Sequence, residues 1–434
     1  MAMLEPNHKP TILKNGRIID GTGAAPFSGT IRIGSEGRID SVGAADNAPE
    51  PPGARVIDLK GRTVLPGLMD LHIHFKMGTD DTWKVKASKV PVDLDMPLTM
   101  VGIRGFSRAR LALRCGFTTV RDVGDTNNLA ASLRASIGAG YVEGPRIFAC
   151  GEAITMTGGT IDFFPDWLIR TDAVTRKADG AAEIRKAVRS VVKNGADWVK
   201  FIATGTMGPD AAPQEFTDEE IAVIVEEAHR RGKSVCAHAC YAQGALAIVK
   251  AGVQSVEHGC ELTDQIVDLM CEKRTFLVPT LSLFDSMVTF ADEFQLPEAI
   301  VDIAKRKLDS HIQSFQLALK AGVPIANGSD IGSPACAHGR GARELTLLVR
   351  YGMSPMQAIQ TATQMSARLL GSENDLGSLQ VGKMADLIIV DGDPLEKIGI
   401  LENPQAIAGV MKGGHFYFLQ STGSDEPAGR RLYV

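Results

Sequence analysis

Four of the nine histidines in this 434-residue chain end strand-like runs, and one lysine and one aspartate do the same. His72 and His74 stand two residues apart in Leu68–His74. A strand repeats every two residues, so both imidazoles leave the same face. Lys200 closes Asp197-Trp198-Val199-Lys200, and His238 closes Val235-Cys236-Ala237-His238. His258 closes Ser255-Val256-Glu257-His258, and Asp330 closes Ala326-Asn327-Gly328-Ser329-Asp330. Imidazoles and carboxylates are the ligands of zinc-like ions. A lysine inside such a ring would be repelled as an ammonium, but a neutral amine can add carbon dioxide. The resulting carbamate is anionic and can bridge two metals. Each residue alone has a plainer reading: an exposed His-x-His pair, a surface lysine, a satisfied core histidine. Six such side chains at the ends of five strands favour a shared centre for two divalent ions.

The elements that must position these residues alternate along the middle of the chain. Strand-like runs are Leu68–His74, Phe117–Asp122, Arg146–Ala149, Trp198–Ile202, Ser234–His238, Ser255–His258, Phe276–Pro279 and Pro324–Asp330. Helix-like runs lie between them. Gly180–Asn194 puts Ile184, Val188 and Val191 on one face, and Asp218–Arg231 does the same with Ile221, Ile224, Val225 and Ala228. Thr217 followed by Glu220 is a capping-box start. Eight strands alternating with helices predict a parallel (β/α)8 TIM barrel over residues 65–374, closed by right-handed crossovers, with its active site at the strands' C-terminal ends. Both ends of the chain read as short strands and turns. Residues 1–64 and 375–434 are expected to form one small composite β-sandwich. Residues 76–103, with Lys84, Lys86 and Lys89, read as a long first loop over the barrel mouth.

Composition narrows the function. Hydrophobic residues make up 44% and charged residues 22%, ordinary for a globular enzyme. A net charge of −5 argues against a nucleic-acid groove, which needs clustered Lys and Arg. No apolar run is long enough for a membrane span, and the opening residues lack an apolar signal-peptide core. Cytoplasm is the expected compartment. Seven cysteines within strand-like or helix-like runs do not suggest a disulfide framework. Cys236 and Cys240 flank His238 and Cys260 follows His258; core packing is favoured over a zinc thiolate. No phosphate loop with Lys-Ser/Thr and no Gly-x-Ser-x-Gly elbow is present.

The run Val64-Leu65-Pro66-Gly67-Leu68-Met69-Asp70-Leu71-His72-Ile73-His74 resembles the signature of the amidohydrolase superfamily. Gly377-Ser378-Leu379-Gln380-Val381-Gly382-Lys383-Met384-Ala385-Asp386-Leu387-Ile388 resembles its closing motif. The similarity spans roughly residues 11–418. Lys200, Ser255–Gly259 and His338–Leu345 resemble the imidazolonepropionase-like branch, with its metal-dependent prolidases, Xaa-Arg or Xaa-Pro carboxypeptidases and ochratoxin-hydrolysing amidases. The resemblance implies one ion, zinc for preference, on His72, His74 and Asp330, a second on His238 and His258, and carbamylated Lys200 between them. It also implies a metal-bridging hydroxide, with Asp330 as general base and then acid, and a homo-oligomer of up to eight subunits. The substrate would be a dipeptide or an N-acyl amino acid losing its C-terminal residue. A cyclic-amide hydrolase of the hydantoinase or dihydroorotase kind and a catalytically silent barrel scaffold are the alternatives.

Substrate selection is less legible. A free carboxylate needs a cation or a hydroxyl donor. Tyr241, His338 and Arg340 are candidates; His338 and Arg340 equally fit a packing loop at a subunit contact. Thr204–Gly208 and Met156–Thr160 read as rim loops. Phe163, Phe164 and Trp167 could wall a pocket, but ordinary core or interface residues are the favoured reading.

Overall fold

The computed structural model describes residues 9–44, 49–78, 97–162, 167, 174–207 and 211–420. It divides into two units, Met1–Met69 with Ala112–Thr118 and Ser354–Val434, and Asp70–Leu111 with Thr119–Met353.

In the first unit both ends of the chain contribute to one eight-stranded mixed sheet. Its order is His415–Leu419, Ile407–Lys412, Leu387–Val390, Thr63–Pro66, Thr11–Ile18, Phe27–Ile33 and Ile39–Gly43. Arg55–Asp58 pairs in parallel with the first half of Thr11–Ile18, and Thr63–Pro66 with the second half. The ladder between Thr11–Ile18 and Phe27–Ile33 shifts register between Leu13 and Gly16, where Asn15 takes φ 56°. Leu13, Ile18, Ile31, Val64, Leu387, Ile389 and Met411 meet in the core of this unit. The first of the three strands from the C-terminal segment starts at Leu387, after a turn around Gly382 (φ 85°).

The second unit is an α/β fold on parallel sheets. Leu68–Ile73, Phe117–Asp122 and Arg146–Ala149 make one sheet of three strands. Thr175–Lys177, Ala153–Thr155, Trp198–Ile202, Ser234–Ala239, Ser255–His258 and Phe276–Val278 make another of six, in that order. Thr175–Lys177 and Ala153–Thr155 are too short to carry a periodic signal. The eighth expected strand, Pro324–Asp330, is not a regular strand. Ile325 bridges to Leu277 and Ile331 to Ile73, and the Asp330 amide donates to the His72 carbonyl at 2.8 Å. Two features break its pleat. Asp330 sits at φ 56°, and Gly328 packs so closely that a Cβ there would lie 2.4 Å from Val278 Cγ1.

Helices pack as the periodicity predicts. Ile184, Val188 and Val191 are buried on Gly180–Lys193, and the Thr217–Glu220 capping box opens Asp218–Arg230. The expected long loop 76–103 ends early, since a helix begins at Leu98 and runs to Arg114. Lys84, Lys86 and Lys89 lie outside the described residues. Among the described residues no helix is long and apolar enough to cross a membrane.

Candidate metal centre

Register determines which side chains can meet. Lys200 pairs with Cys236 and Ile202 with His238 in parallel strands, so Lys200 and His238 point to the same side. Ser255 pairs with Cys236 and Glu257 with His238, which puts both on that side too. Strict alternation would then turn His258 away. Its backbone adopts φ 70°, a left-handed conformation rare outside glycine, and the ring swings back. The imidazole centroids of His258 and His238 are 4.4 Å apart, and those of His258 and His72 are 4.8 Å apart.

Asp330 arrives from the irregular segment. Its Oδ1 lies 3.3 Å from His74 Nε2 and 3.6 Å from His72 Nε2. Ser333 Oγ donates to the same oxygen at 2.6 Å. Asp70 holds the segment in place: its Oδ1 accepts from the amides of Ser329 and His72, and its Oδ2 accepts from the Ser329 hydroxyl.

The other ring nitrogens are also engaged. His74 Nδ1 lies 3.1 Å from the Gly124 carbonyl, His258 Nδ1 is 2.6 Å from Thr280 Oγ1, and His238 Nε2 is 2.8 Å from Thr206 Oγ1. His72 Nδ1 meets Glu257 Oε2 at 2.7 Å.

All six candidate ligands are buried. Burial, then the nearby Lys200, pushes the His72 imidazolium down to about 4. Burial, with His238, His72 and Lys200 close by, holds His258 well below the usual histidine range. Burial opposes ionisation of Asp330, but His72, His74 and Ser333 outweigh it and keep the carboxyl below its ordinary value. At neutral pH this leaves His72 and His258 as neutral bases beside an anionic Asp330. At His74 burial is outweighed by the Asp330 carboxylate, which raises that imidazole above its ordinary value. Donor atoms of His72, His258 and Asp330 all lie within 4.8 Å of one another. Lys200 Nζ is buried against this cluster with no hydrogen-bond partner among the described residues. A buried, unsatisfied amine is costly, and native proteins rarely leave one without a reason. Nitrogen and oxygen donors converging on one point, with an orphaned amine beside them, fit divalent cations.

Residues 63–416 match the model of the Amidohydrolase family. The chain belongs to the amidohydrolase family. It is therefore a hydrolase acting on C–N bonds. Ochratoxinase of Aspergillus niger is 31% identical, over 94% of this chain and 87% of that protein. The crystal structure of a Xaa-Pro dipeptidase with bound methionine is 34% identical, with a TM-score of 0.83 over 94% of this chain and 100% of the other. A prolidase complexed with N-methylphosphonate-L-proline is 30% identical, with a TM-score of 0.83 over 95% of this chain and 100% of that one.

The three candidate substrate residues of this amidohydrolase have protein partners. Tyr241 is half-buried, and Lys307 Nζ sits 3.7 Å from its ring centroid. Arg340 pairs with both carboxylate oxygens of Glu293 and stacks 4.4 Å above Phe290. His338 Nε2 lies 2.9 Å from the Met77 carbonyl. Phe163 and Phe164 lie outside the described residues, and Trp167 is 87% exposed. Cys236 packs 3.9 Å from Cys150 and turns its thiol to the Val199 carbonyl.

Glu257, Arg121, Asp70, Thr206 and Thr280 escape sequence reasoning. For two of them a signal exists. Arg121 is a charge inside an expected barrel strand, Phe117–Asp122, and Glu257 immediately precedes a candidate ligand in Ser255–His258.

Proposed function

We propose that this amidohydrolase is a binuclear metal-dependent peptidase or amidase. It removes the C-terminal residue of dipeptides or N-acyl amino acids. Its scaffold is read as a (β/α)8 barrel, with a β-sandwich built from both termini. The observation that carries the reading is the Lys200 amine, buried beside His72, His258 and Glu257 and without a hydrogen-bond partner among the described residues. As a carbamate, formed when the neutral amine adds carbon dioxide and releases a proton, it would carry one negative charge shared over two oxygens, and its burial would be balanced by two cations.

His72, His74 and Asp330 would hold one ion and His238 and His258 the other, with modified Lys200 between. When bound, such ions, zinc foremost, acidify water and polarise a scissile carbonyl. The chain's own residues do the rest. Glu257, Gly124 and Thr280 engage Nδ1 of His72, His74 and His258, which leaves each Nε2 lone pair for a ligand. Asp330 stays ionised, so its carboxylate can take a proton from water and return it to the leaving amine. Burial of all six side chains keeps bulk water away and strengthens each charge interaction.

The substrate class is supported by the relatives, among them a Xaa-Pro dipeptidase, a prolidase and an ochratoxinase. The test is a screen of zinc-, manganese- and cobalt-loaded protein against L-Xaa-L-Xaa dipeptides and N-acyl amino acids, ochratoxin included. Release of the C-terminal amino acid is the expected result. Metal-loaded protein that releases none, yet opens cyclic ureides, would overturn it.

A further inference from the structure

Arg121 and Glu257 are both completely buried, and neither ranks among the candidate ligands. The Arg121 guanidinium donates through Nη2 to Glu257 Oε1 at 2.8 Å, through Nε to the Leu71 carbonyl at 2.7 Å, and through Nη1 to Ser255 Oγ at 3.3 Å. Its Cζ rests 4.6 Å above the Trp198 ring. Ser255, with its acceptor side facing Arg121, donates its own hydroxyl to Glu257 Oε1. Two donors thus converge on one oxygen of Glu257. The other oxygen, Oε2, faces only His72 Nδ1 among the described contacts, at 2.7 Å.

We infer that Arg121, Ser255 and Glu257 form a positioning relay that fixes the tautomer of His72. An ionised carboxylate can only accept, so Nδ1 must carry the proton. The Nε2 lone pair is then free on the side of Asp330. The relay also fixes the ring's rotation, since Arg121 is tied at once to Leu71, Ser255 and Glu257. This inference rests on the metal-centre reading above, in which His72 Nε2 is a ligand.

The relay makes Glu257→Gln unusually informative. Arg121 and Ser255 would hold the amide oxygen at the Oε1 position. The amide NH2 would then face His72 Nδ1 and donate to it. The ring proton would be driven to Nε2, and a protonated Nε2 cannot ligate. Binding of one zinc ion should weaken by about 10- to 100-fold, the range seen when such outer partners are lost. The zinc assigned to His238 and His258 should remain.

The measurement is zinc affinity and stoichiometry by competition with a chromophoric chelator, with circular dichroism of the metal-free proteins as the folding check. Native protein should bind two zinc ions, and E257Q should lose tight binding of one. Native-like affinity in a folded E257Q overturns the relay while leaving the metal centre intact. Absence of zinc binding by native protein overturns the metal centre itself. Should E257Q not fold because Arg121 loses its partner, two variants without the buried charge decide. In R121M/E257Q the amide can turn its oxygen to Nδ1, whereas R121M/E257L offers no acceptor. R121M/E257Q should bind zinc at least about 10-fold more tightly than R121M/E257L. Equal affinities overturn the relay.

Discussion

His258 Nδ1 and Thr280 Oγ1 lie 2.6 Å apart, and both residues hold left-handed backbones, at φ 70° and 52°. A β-branched residue is a genuine outlier there, and strain of this kind persists only where surroundings enforce it. The contact orients a candidate ligand at the cost of two unfavourable dihedrals. Thr280→Ala should therefore weaken zinc retention by about 10-fold, as loss of an outer hydrogen bond to a ligand does. Thr280→Gly should be more stable than Thr280→Ala by about 1 kcal/mol, because glycine tolerates the positive φ. Chelator competition and thermal melts check the two effects, and a T280A protein with native zinc affinity would remove the positioning role.

Asp330 is the candidate proton carrier. Asp330→Asn keeps the shape and an oxygen donor but removes the base. It should lower kcat by about 10²- to 10⁴-fold, the usual worth of a positioned acid–base group. Metal analysis should find most of the bound ion still present. Near-native kcat would take Asp330 out of proton transfer.

Lys200 should depend on carbon dioxide. Metal-free protein prepared in CO2-depleted buffer should take up zinc poorly until bicarbonate is added. With [13C]bicarbonate, a carbamate resonance should appear in native protein and be missing from Lys200→Ala. Zinc uptake independent of bicarbonate, with no such resonance, would return Lys200 to an ordinary buried amine.

Away from the site, Glu227 tests the electrostatics of the fold. Arg189 and Arg231 hydrogen-bond its carboxylate. Arg189 leads in lowering its pKa to about 2, from an ordinary 4.5. A depressed carboxylate stabilises the folded state above its unfolded value, and that stability is lost as pH falls through the folded value. Glu227→Gln should thus be less stable than native by about 1–2 kcal/mol at neutral pH, in the range of charge-assisted surface contacts. The gap should close as pH falls from about 4.5 towards about 2. Denaturant melts of metal-free protein across that range would show it; a gap that stays constant would mean the arginines do not act through charge.

Much of this arrangement is legible from residue spacing alone, because period-two alternation and strand ends are local properties. His72, Lys200 and His238 obey that alternation within Leu68–Ile73, Trp198–Ile202 and Ser234–Ala239, which follow the hydrophobic pattern, and His74 comes directly after the first of these strands. His258 and Asp330 reach the cluster by breaking the pattern, through left-handed backbones that side-chain type does not announce. For the same reason Pro324–Asp330 reads as a strand yet is held by isolated bridges. Partners such as Arg121 with Glu257, 136 residues apart, are set by tertiary register, which no local window contains. Arg340 reads equally as a substrate cation or a packing residue from its place after Asp330, and its contacts with Glu293 and Phe290, some 50 residues earlier, likewise lie beyond any local window.

The central claim is that six side chains converge on two cations. Anomalous diffraction from zinc-loaded crystals, collected above the zinc edge, tests it most directly. Two peaks are expected, one among His72, His74 and Asp330 and one beside His238 and His258, with continuous density from Lys200 reaching both. A single peak remote from Lys200, or zinc bound elsewhere in the molecule, would contradict the binuclear centre.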